Sequence, residues 1–156
     1  MKRTLILSVL TAGLLGAVPS VVTAADDHKA VSAEQLQWKQ HPALPKGTEV
    51  AVLSGDPSKE GPFVLRLRFP AGLKVPPHIH PGDENGTVLS GTFNIGMGET
   101  FDDSKGQSVE AAGFILVPKG MVHYAWVDED TLIQFHGIGP SAITYVNPAD
   151  DPRKTQ

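Results

Sequence analysis

Four side chains able to bind a metal ion lie in two short stretches of the chain. His78 and His80 stand two residues apart in a strand-like run, and Glu84 follows after a Pro-Gly turn. Alternate residues of a β-strand point to the same face of a sheet, so one strand offers both imidazoles to one point. The turn brings the Glu84 carboxylate toward that point. His123 lies far along the chain and joins the other three only through the fold.

Three imidazoles and one carboxylate predict a site for one divalent transition metal ion. The chain contains no cysteine, so every protein ligand must be a nitrogen or an oxygen atom. This donor set suits Fe(II), Mn(II), Ni(II), Zn(II) or Cu(II), and the order of affinities alone does not select one of them. Four protein ligands on an octahedral ion leave two positions open for a substrate or dioxygen. Asp83, beside Glu84, is expected to be a solvated turn residue.

The first stretch resembles the first sequence motif of the cupin superfamily, G(x)5HxH(x)3,4E(x)6G. Every fixed position of that motif is matched, at Gly72, His78, His80, Glu84 and Gly91. The resemblance implies a small barrel, also described as a double-stranded β-helix or jelly roll, with a metal ion at its mouth or centre. It implies no further cofactor.

The second stretch resembles the second cupin motif, G(x)5PxG(x)2H(x)3N, and supplies His123 as the last ligand. Its central PxGxxH pattern is intact from Pro118 to His123. Gly113 lies one residue nearer to Pro118 than the motif requires, and Val127 replaces the final asparagine. These departures leave the ligand in place and concern only the hydrogen bonding after it. The resemblance covers residues 72–137 directly.

Short runs rich in β-branched and aromatic residues, separated by Gly, Pro, Asp and Ser, predict an all-β fold. The run at residues 62–69 alternates apolar residues with two arginines, which predicts one buried and one solvated face. We predict an N-terminal arm over residues 25–47, a single cupin barrel over 48–147 and a flexible tail over 148–156. The runs span residues 49–53, 63–69, 87–97, 108–117, 121–127, 131–137 and 142–146.

Three further histidines require an interpretation. Gln134 and His136 share one face of the run at residues 131–137. If that face lines the cavity, His136 is the candidate catalytic acid or base. The alternative is that this face is the outer, solvated one. His28 and His41 lie in the arm, and we expect both to be solvated.

The first 24 residues have the composition of a secretory signal peptide. Lys2 and Arg3 precede an apolar run, and small residues close the segment at Ala24. We therefore predict cleavage after Ala24, a periplasmic or secreted location, and no stable membrane anchor after cleavage. All 17 acidic residues follow this segment, whereas two of the 13 basic residues lie within it. The mature chain is thus acidic, which argues against nucleic acid as a partner.

The resemblance implies a range of functions. A metal ion with open positions supports a dioxygenase-type oxidoreductase that acts on a small organic substrate. The same site permits a metal-assisted isomerase or lyase, or a protein that binds or senses a small ligand or metal without turnover. The sequence therefore leaves open whether the protein is an enzyme. Exposed strands, with Leu36 and Trp38 of the arm covering a partner's sheet edge, suggest a homodimer.

Overall fold

Strands make up most of the regular structure in the computed structural model, which describes residues 28–154. The predicted signal peptide, residues 1–24, lies outside the described residues. Residues 31–154 belong to one compact unit, to which the following description applies. No helix between residues 28 and 154 has both the length and the apolar composition needed to span a membrane. The strands are β1 (Lys39–Gln40), β2 (Glu49–Ser54), β3 (Gly61–Phe69), β4 (Lys74–Ile79), β5 (Glu84–Ser90), β6 (Thr92–Met97), β7 (Gln107–Glu110), β8 (Phe114–Val117), β9 (His123–Trp126), β10 (Thr131–Gly139) and β11 (Thr144–Tyr145). The 3-10 helices are Ala33–Gln35, Asp103–Lys105, Pro148–Asp150 and Pro152–Lys154.

The strands form two antiparallel sheets that make a single jelly roll. The six-stranded sheet has the order β1-β2-β3-β10-β5-β8, and the five-stranded sheet has the order β11-β4-β9-β6-β7. Pairs such as β3 with β10 and β4 with β9 are distant in sequence, so the chain crosses repeatedly between the sheets. The all-β, single-barrel fold predicted from the sequence is confirmed.

The alternation of residue types in β3 determines which of its faces is buried. Phe63, Leu65 and Leu67 are buried between the sheets. The intervening Arg66 points outward and donates from Nε to Oε1 of Gln134, its partner on β10, at 3.1 Å. The prediction of one apolar face and one solvated face for this strand is confirmed.

Apolar side chains from both sheets form the core. Val88 of β5 and Ile133 of β10 are completely buried. Phe69 of the six-stranded sheet packs against Phe93 of the five-stranded sheet, with 5.7 Å between ring centroids. Removal of this apolar surface from water is the main contribution that holds the two sheets together.

Residues 31–47 of the predicted N-terminal arm belong to the same compact unit as the barrel. β1 pairs antiparallel with β2, which places Lys39 opposite Val50. The guanidinium carbon of Arg68 lies 3.8 Å from the centre of the Trp38 ring, so Trp38 packs on its own chain. The boundary predicted at residue 47 therefore does not separate two structural units. The homodimer stays a prediction.

The C-terminal tail packs against the barrel, in contrast to the flexible tail predicted for residues 148–156. Asp151 is buried, and it accepts hydrogen bonds from Nε and Nη2 of Arg153 at 2.7 and 2.8 Å. Nη2 of Arg153 also donates to the carbonyl oxygen of Ile143 at 3.0 Å. Because these bonds hold the tail against the segment before β11, the prediction of fraying is wrong for its described part.

Replacement of Ile133 by alanine is expected to lower the free energy of unfolding by about 2–4 kcal/mol, because it opens a cavity in a fully packed region. Ile138 lies on the same strand and is 66% exposed. The Ile138→Ala control should therefore change the stability by less than about 0.5 kcal/mol. Urea denaturation followed by circular dichroism measures both variants, and equal losses would contradict the burial of Ile133.

Candidate metal centre

Strand pairing brings the predicted ligands together. β4 and β9 are antiparallel neighbours, and His78 lies directly opposite His123 in their register. His80 follows the last residue of β4, whereas Glu84 begins β5 in the other sheet. The four residues therefore come from three strand ends and from both sheets.

The three imidazoles form a buried cluster. His78, His80 and His123 are 4%, 8% and 2% exposed. The ring centroids lie 4.2 Å apart for His78 and His123, 5.0 Å for His78 and His80, and 5.3 Å for His80 and His123. Each residue has a ligand nitrogen within 4.8 Å of those of the other two. This spacing allows one ion to be shared by the three rings.

Backbone carbonyl groups hold all three rings in the same way. Nδ1 of His78 lies 2.7 Å from the carbonyl oxygen of Pro76, and Nδ1 of His80 lies 2.8 Å from that of Ala142. Nδ1 of His123 lies 3.0 Å from the carbonyl oxygen of Met121. A carbonyl oxygen can only accept, so each Nδ1 must carry a proton and donate. The lone pair of each neutral ring is then on Nε2, where a metal ion can bind it.

The surroundings of Nε2 of His80 fit a metal ion. This atom is buried and has no hydrogen-bond partner among the described residues. Oε2 of Glu84 lies 3.5 Å from Nε2 of His80 and 3.8 Å from Nε2 of His123. These distances are too long for good hydrogen bonds. Two ligands on one ion, each bound at about 2.1 Å, lie roughly 3.0–3.4 Å apart, so the observed spacing is close to that of a ligand set.

Burial shifts the pKa of each group in the cluster. It is the main cause that lowers the pKa of His78 to about 3, and charge on His123 and His80 contributes to the same lowering. It also lowers the pKa of His80 and of His123. Burial raises the pKa of Glu84 to about 7, against the opposing effect of His123. At neutral pH the rings are therefore uncharged, which is the form that binds metal ions.

A cavity of about 630 Å³ lies between the sheets and includes the candidate centre in its wall. Cavities of this size accommodate small organic molecules. Apart from the centre, its interior is mostly apolar, with aromatic and aliphatic side chains such as Phe63, Leu65, Phe93, Ile95 and Phe135. A ligand with an apolar body would therefore be desolvated beside the centre.

Asp83 lies at the surface and has a structural role, although it is adjacent to Glu84. It is exposed, and its Oδ1 accepts a hydrogen bond from the backbone N–H of Lys119 at 2.8 Å. This bond connects the loop before Glu84 to the turn before His123. Asp83 thus helps to hold the two parts of the site in register.

His136 does not lie in the cavity, and the prediction of a catalytic acid or base at this position is corrected. Phe135 of β10 lines the cavity, and strand alternation turns the next side chain to the opposite face. His136 is accordingly exposed on the outer face of the six-stranded sheet. Gln134 lies on the same outer face, where it accepts from Arg66.

His41 was expected to be solvated, but it is half-buried and lines the cavity. Its Nδ1 accepts a hydrogen bond from the backbone N–H of Ala43 at 3.2 Å. Arg153 also lines the cavity, although it belongs to the tail that was expected to fray. The apolar residues that follow His41 are a sequence signal of burial in the arm. No local pattern indicates the position of Arg153.

Comparisons with known proteins agree with this fold. The ChrR cupin-like domain matches residues 26–142. No curated protein matches the chain.

Solved structures give the same result at low sequence identity. The polyketide cyclase RemF from Streptomyces resistomycificus has a TM-score of 0.64 and 17% identity, covering 81% of this chain and 91% of its own. An acetylacetone dioxygenase from Acinetobacter johnsonii has a TM-score of 0.59 and 14% identity, covering 83% of both chains. An RmlC-like cupin from Shewanella frigidimarina has a TM-score of 0.56 and 15% identity, covering 70% of this chain and 88% of its own. At these identities the likeness concerns the fold alone.

Replacement of Glu84 by glutamine is expected to stabilise the metal-free protein at pH 8 by about 1–3 kcal/mol relative to the wild type. The pKa of the buried carboxyl group rises from 4.5 to about 7 on folding. The contribution of the neutral carboxyl group to the free energy of unfolding is therefore fully present below about pH 4.5, and it is lost as the pH rises through 7. Glutamine cannot ionise, so the variant avoids this loss.

Urea denaturation of chelator-treated protein at pH 5 and pH 8 measures the effect. Glu99→Gln provides a matched control, because it makes the same chemical change on an exposed side chain. A difference between Glu84→Gln and the wild type that is the same at both pH values would contradict the raised pKa.

Proposed function

The chain belongs to the ChrR cupin-like domain family, and we propose that it is a metal-dependent oxidoreductase of the dioxygenase type. In this proposal it acts on a small organic substrate at a mononuclear centre. His78, His80, His123 and Glu84 are the proposed ligands, and the bound ion is Fe(II) or Mn(II), with zinc, nickel or copper as alternatives.

The observation that carries the proposal is the shared arrangement of the three imidazoles. Each Nδ1 is engaged by a backbone carbonyl group, so each Nε2 lone pair remains for an ion. Nε2 of His80 is buried without a hydrogen-bond partner within residues 28–154. A buried polar atom left unpaired costs about 1–3 kcal/mol. Coordination of an ion would remove that cost.

The chain's own groups have defined parts in this function. The bound ion would supply open coordination positions for the substrate and dioxygen. The uncharged imidazoles would donate their Nε2 lone pairs. In the metal-free protein the pKa of Glu84 is raised to about 7, and a bound ion would hold its carboxyl group in the ionised form as a ligand. The apolar wall excludes water and binds the substrate's apolar body.

A second candidate function is metal-assisted isomerisation or elimination. A bound ion with open positions would also act as a Lewis acid toward a substrate held in the apolar cavity beside it. The fold is compatible with both candidates, since one structural relative is named as a dioxygenase and another as a polyketide cyclase. Consumption of dioxygen distinguishes them. Binding or sensing without turnover is the remaining outcome.

Elemental analysis of the protein exported by its own signal is the first test. We expect about one equivalent of metal per chain in the wild type and less than a tenth of that in His80→Ala, because the variant removes a ligand. His136→Ala is the matched control, since it removes an exposed histidine on the outer face and should leave the metal content unchanged. Absence of metal from the wild type would overturn the proposal.

Oxygen uptake with a panel of small β-diketones and aromatic diols is the second step. The wild type and His136→Ala should consume dioxygen in stoichiometric amounts with at least one substrate, and His80→Ala should not. Substrate turnover without oxygen uptake would favour the isomerase or lyase. Binding of these compounds without any turnover would leave a binding protein.

Location in the periplasm or outside the cell belongs to the same proposal. It is supported by the basic and then apolar composition of residues 1–24 and by the absence of cysteine. The partner is a small molecule, and neither nucleic acid nor a lasting membrane anchor is involved. The intact mass of protein recovered from the periplasm should correspond to a chain that begins at Ala25. Recovery of the full 16.6 kDa chain would contradict the cleavage.

A further inference from the structure

The cavity opens at a rim that links the N-terminal arm, the segment before β11 and the tail. His41, Ala142 and Arg153 all line the cavity, and the last two are exposed to solvent. The carbonyl oxygen of Ala142 accepts from Nδ1 of His80, and the next carbonyl oxygen, that of Ile143, accepts from Nη2 of Arg153. Two consecutive carbonyl groups thus hold a candidate metal ligand and a rim arginine.

The rim carries hydrogen-bond donors that the protein itself does not use. Because the N–H of Ala43 donates to Nδ1 of His41, the proton of the neutral ring is on Nε2. Arg153 uses Nε and Nη2 for Asp151 and Ile143, and its Nη1 has no hydrogen-bond partner among residues 28–154. Lys39 lines the cavity and forms no ion pair with any described residue.

The acidic side chain at the rim has its hydrogen-bond acceptors already occupied. Asp56 is the acidic side chain lining the cavity outside the candidate metal centre. Its Oδ1 accepts from the N–H and the hydroxyl group of Ser58, and its Oδ2 lies 3.0 Å from Nζ of Lys59. The excess of donors therefore favours a ligand whose polar end only accepts hydrogen bonds.

We propose that this rim binds the carboxylate of a small organic acid whose apolar body lies in the cavity, and that His41 is the residue that positions it. His41 would donate from Nε2 to a carboxylate oxygen, with Lys39 and Arg153 beside it. The proposal names the substrate class of the proposed oxidoreductase and to that extent rests on it. Binding itself requires neither turnover nor a metal ion.

Electrostatics support a neutral His41 with its proton on Nε2. Burial is the main cause that lowers the pKa of His41 to about 4, and charge on Arg153, His80 and Lys39 contributes to the same lowering. At pH 7 the ring therefore stays uncharged and keeps the single tautomer set by Ala43. A hydrogen bond to an ionised acceptor is stronger than one between neutral groups.

Calorimetry with three matched probes tests the proposal at pH 7. The probes are 4-phenylbutyrate, 4-phenylbutanol and 4-phenylbutylamine, which share an apolar body and differ in the polar end. The wild type should bind the carboxylate at least tenfold more tightly than the alcohol and the amine. Equal affinities, or no binding of 4-phenylbutyrate, would overturn the proposal.

Two substitutions of His41 separate ligand binding from a structural role. Asparagine keeps an oxygen acceptor for the backbone N–H of Ala43, as in an Asx turn, but it lacks a donor at the position of Nε2. Glutamine keeps an amide donor near the Nε2 position and loses that acceptor.

We expect His41→Asn to weaken 4-phenylbutyrate binding about tenfold and to leave 4-phenylbutanol binding within twofold. His41→Gln should stay within about threefold of the wild type for both probes, and His136→Gln should match the wild type. The reverse order of the two His41 variants would show a purely structural role and overturn the proposal.

Chelator-treated protein, checked for folding by circular dichroism, completes the test. If the carboxylate preference persists there, the rim and not a metal ion selects the probe; its loss would overturn the proposal. A protein without metal that still shows the His41-dependent preference would retain this inference while the proposed oxidoreductase function fails. If the protein contains metal and consumes dioxygen but does not prefer the carboxylate probe, the proposed oxidoreductase function is retained and this inference is overturned.

Discussion

The pairing of β4 with β9 is the constraint on which the rest of the site depends. It places His78 opposite His123 although 45 residues separate them in sequence, and it brings His80 to the same end of the sheet. Glu84 then reaches the cluster from the first residue of β5 in the opposing sheet. A shift of one residue in this register would turn His123 to the other face of the sheet. The hydrophobic contacts that fix the register therefore also fix the positions of the candidate ligands.

The cluster is electrostatically costly in the absence of an ion. Three imidazoles are held uncharged by burial, Nε2 of His80 has no hydrogen-bond partner within the described chain, and the Glu84 carboxyl group resists ionisation. The unpaired Nε2 of His80 and the raised pKa of Glu84 oppose stability in the metal-free protein near neutral pH, and both conditions are relieved when lone pairs and a carboxylate bind a cation. The backbone carbonyl groups contribute orientation, because they fix the tautomer before any ion arrives.

The cavity has two kinds of surface that could contact a ligand, an apolar interior and a few polar groups. Its apolar interior provides binding free energy in proportion to the area removed from water, and it selects little beyond size and shape. Directional selectivity must come from the few polar groups, which lie at the candidate metal centre and at the rim formed by His41, Lys39 and Arg153. The arm and the tail supply this rim. Segments at the two ends of the described chain thus supply the polar groups that would select a ligand by its polar end.

The sequence by itself determined the jelly-roll fold and the four candidate ligands, because strand alternation and the two motifs are local patterns with fixed spacing. It left the face of His136 open, since alternation shows which residues share a face but not which face lies inside. Packing against the opposing sheet decided that Phe135 points inward, with its ring centroid 6.2 Å from that of Phe93, and that His136 points outward. Only the tertiary structure placed His41 and Arg153 at the rim. The position of His41 depends on contacts between distant chain segments, such as the hydrogen bond at 2.9 Å from the hydroxyl group of Tyr145 to the carbonyl oxygen of Ala43. The position of Arg153 depends on its hydrogen bonds to Asp151 and to the carbonyl oxygen of Ile143. No local composition encodes contacts of that kind.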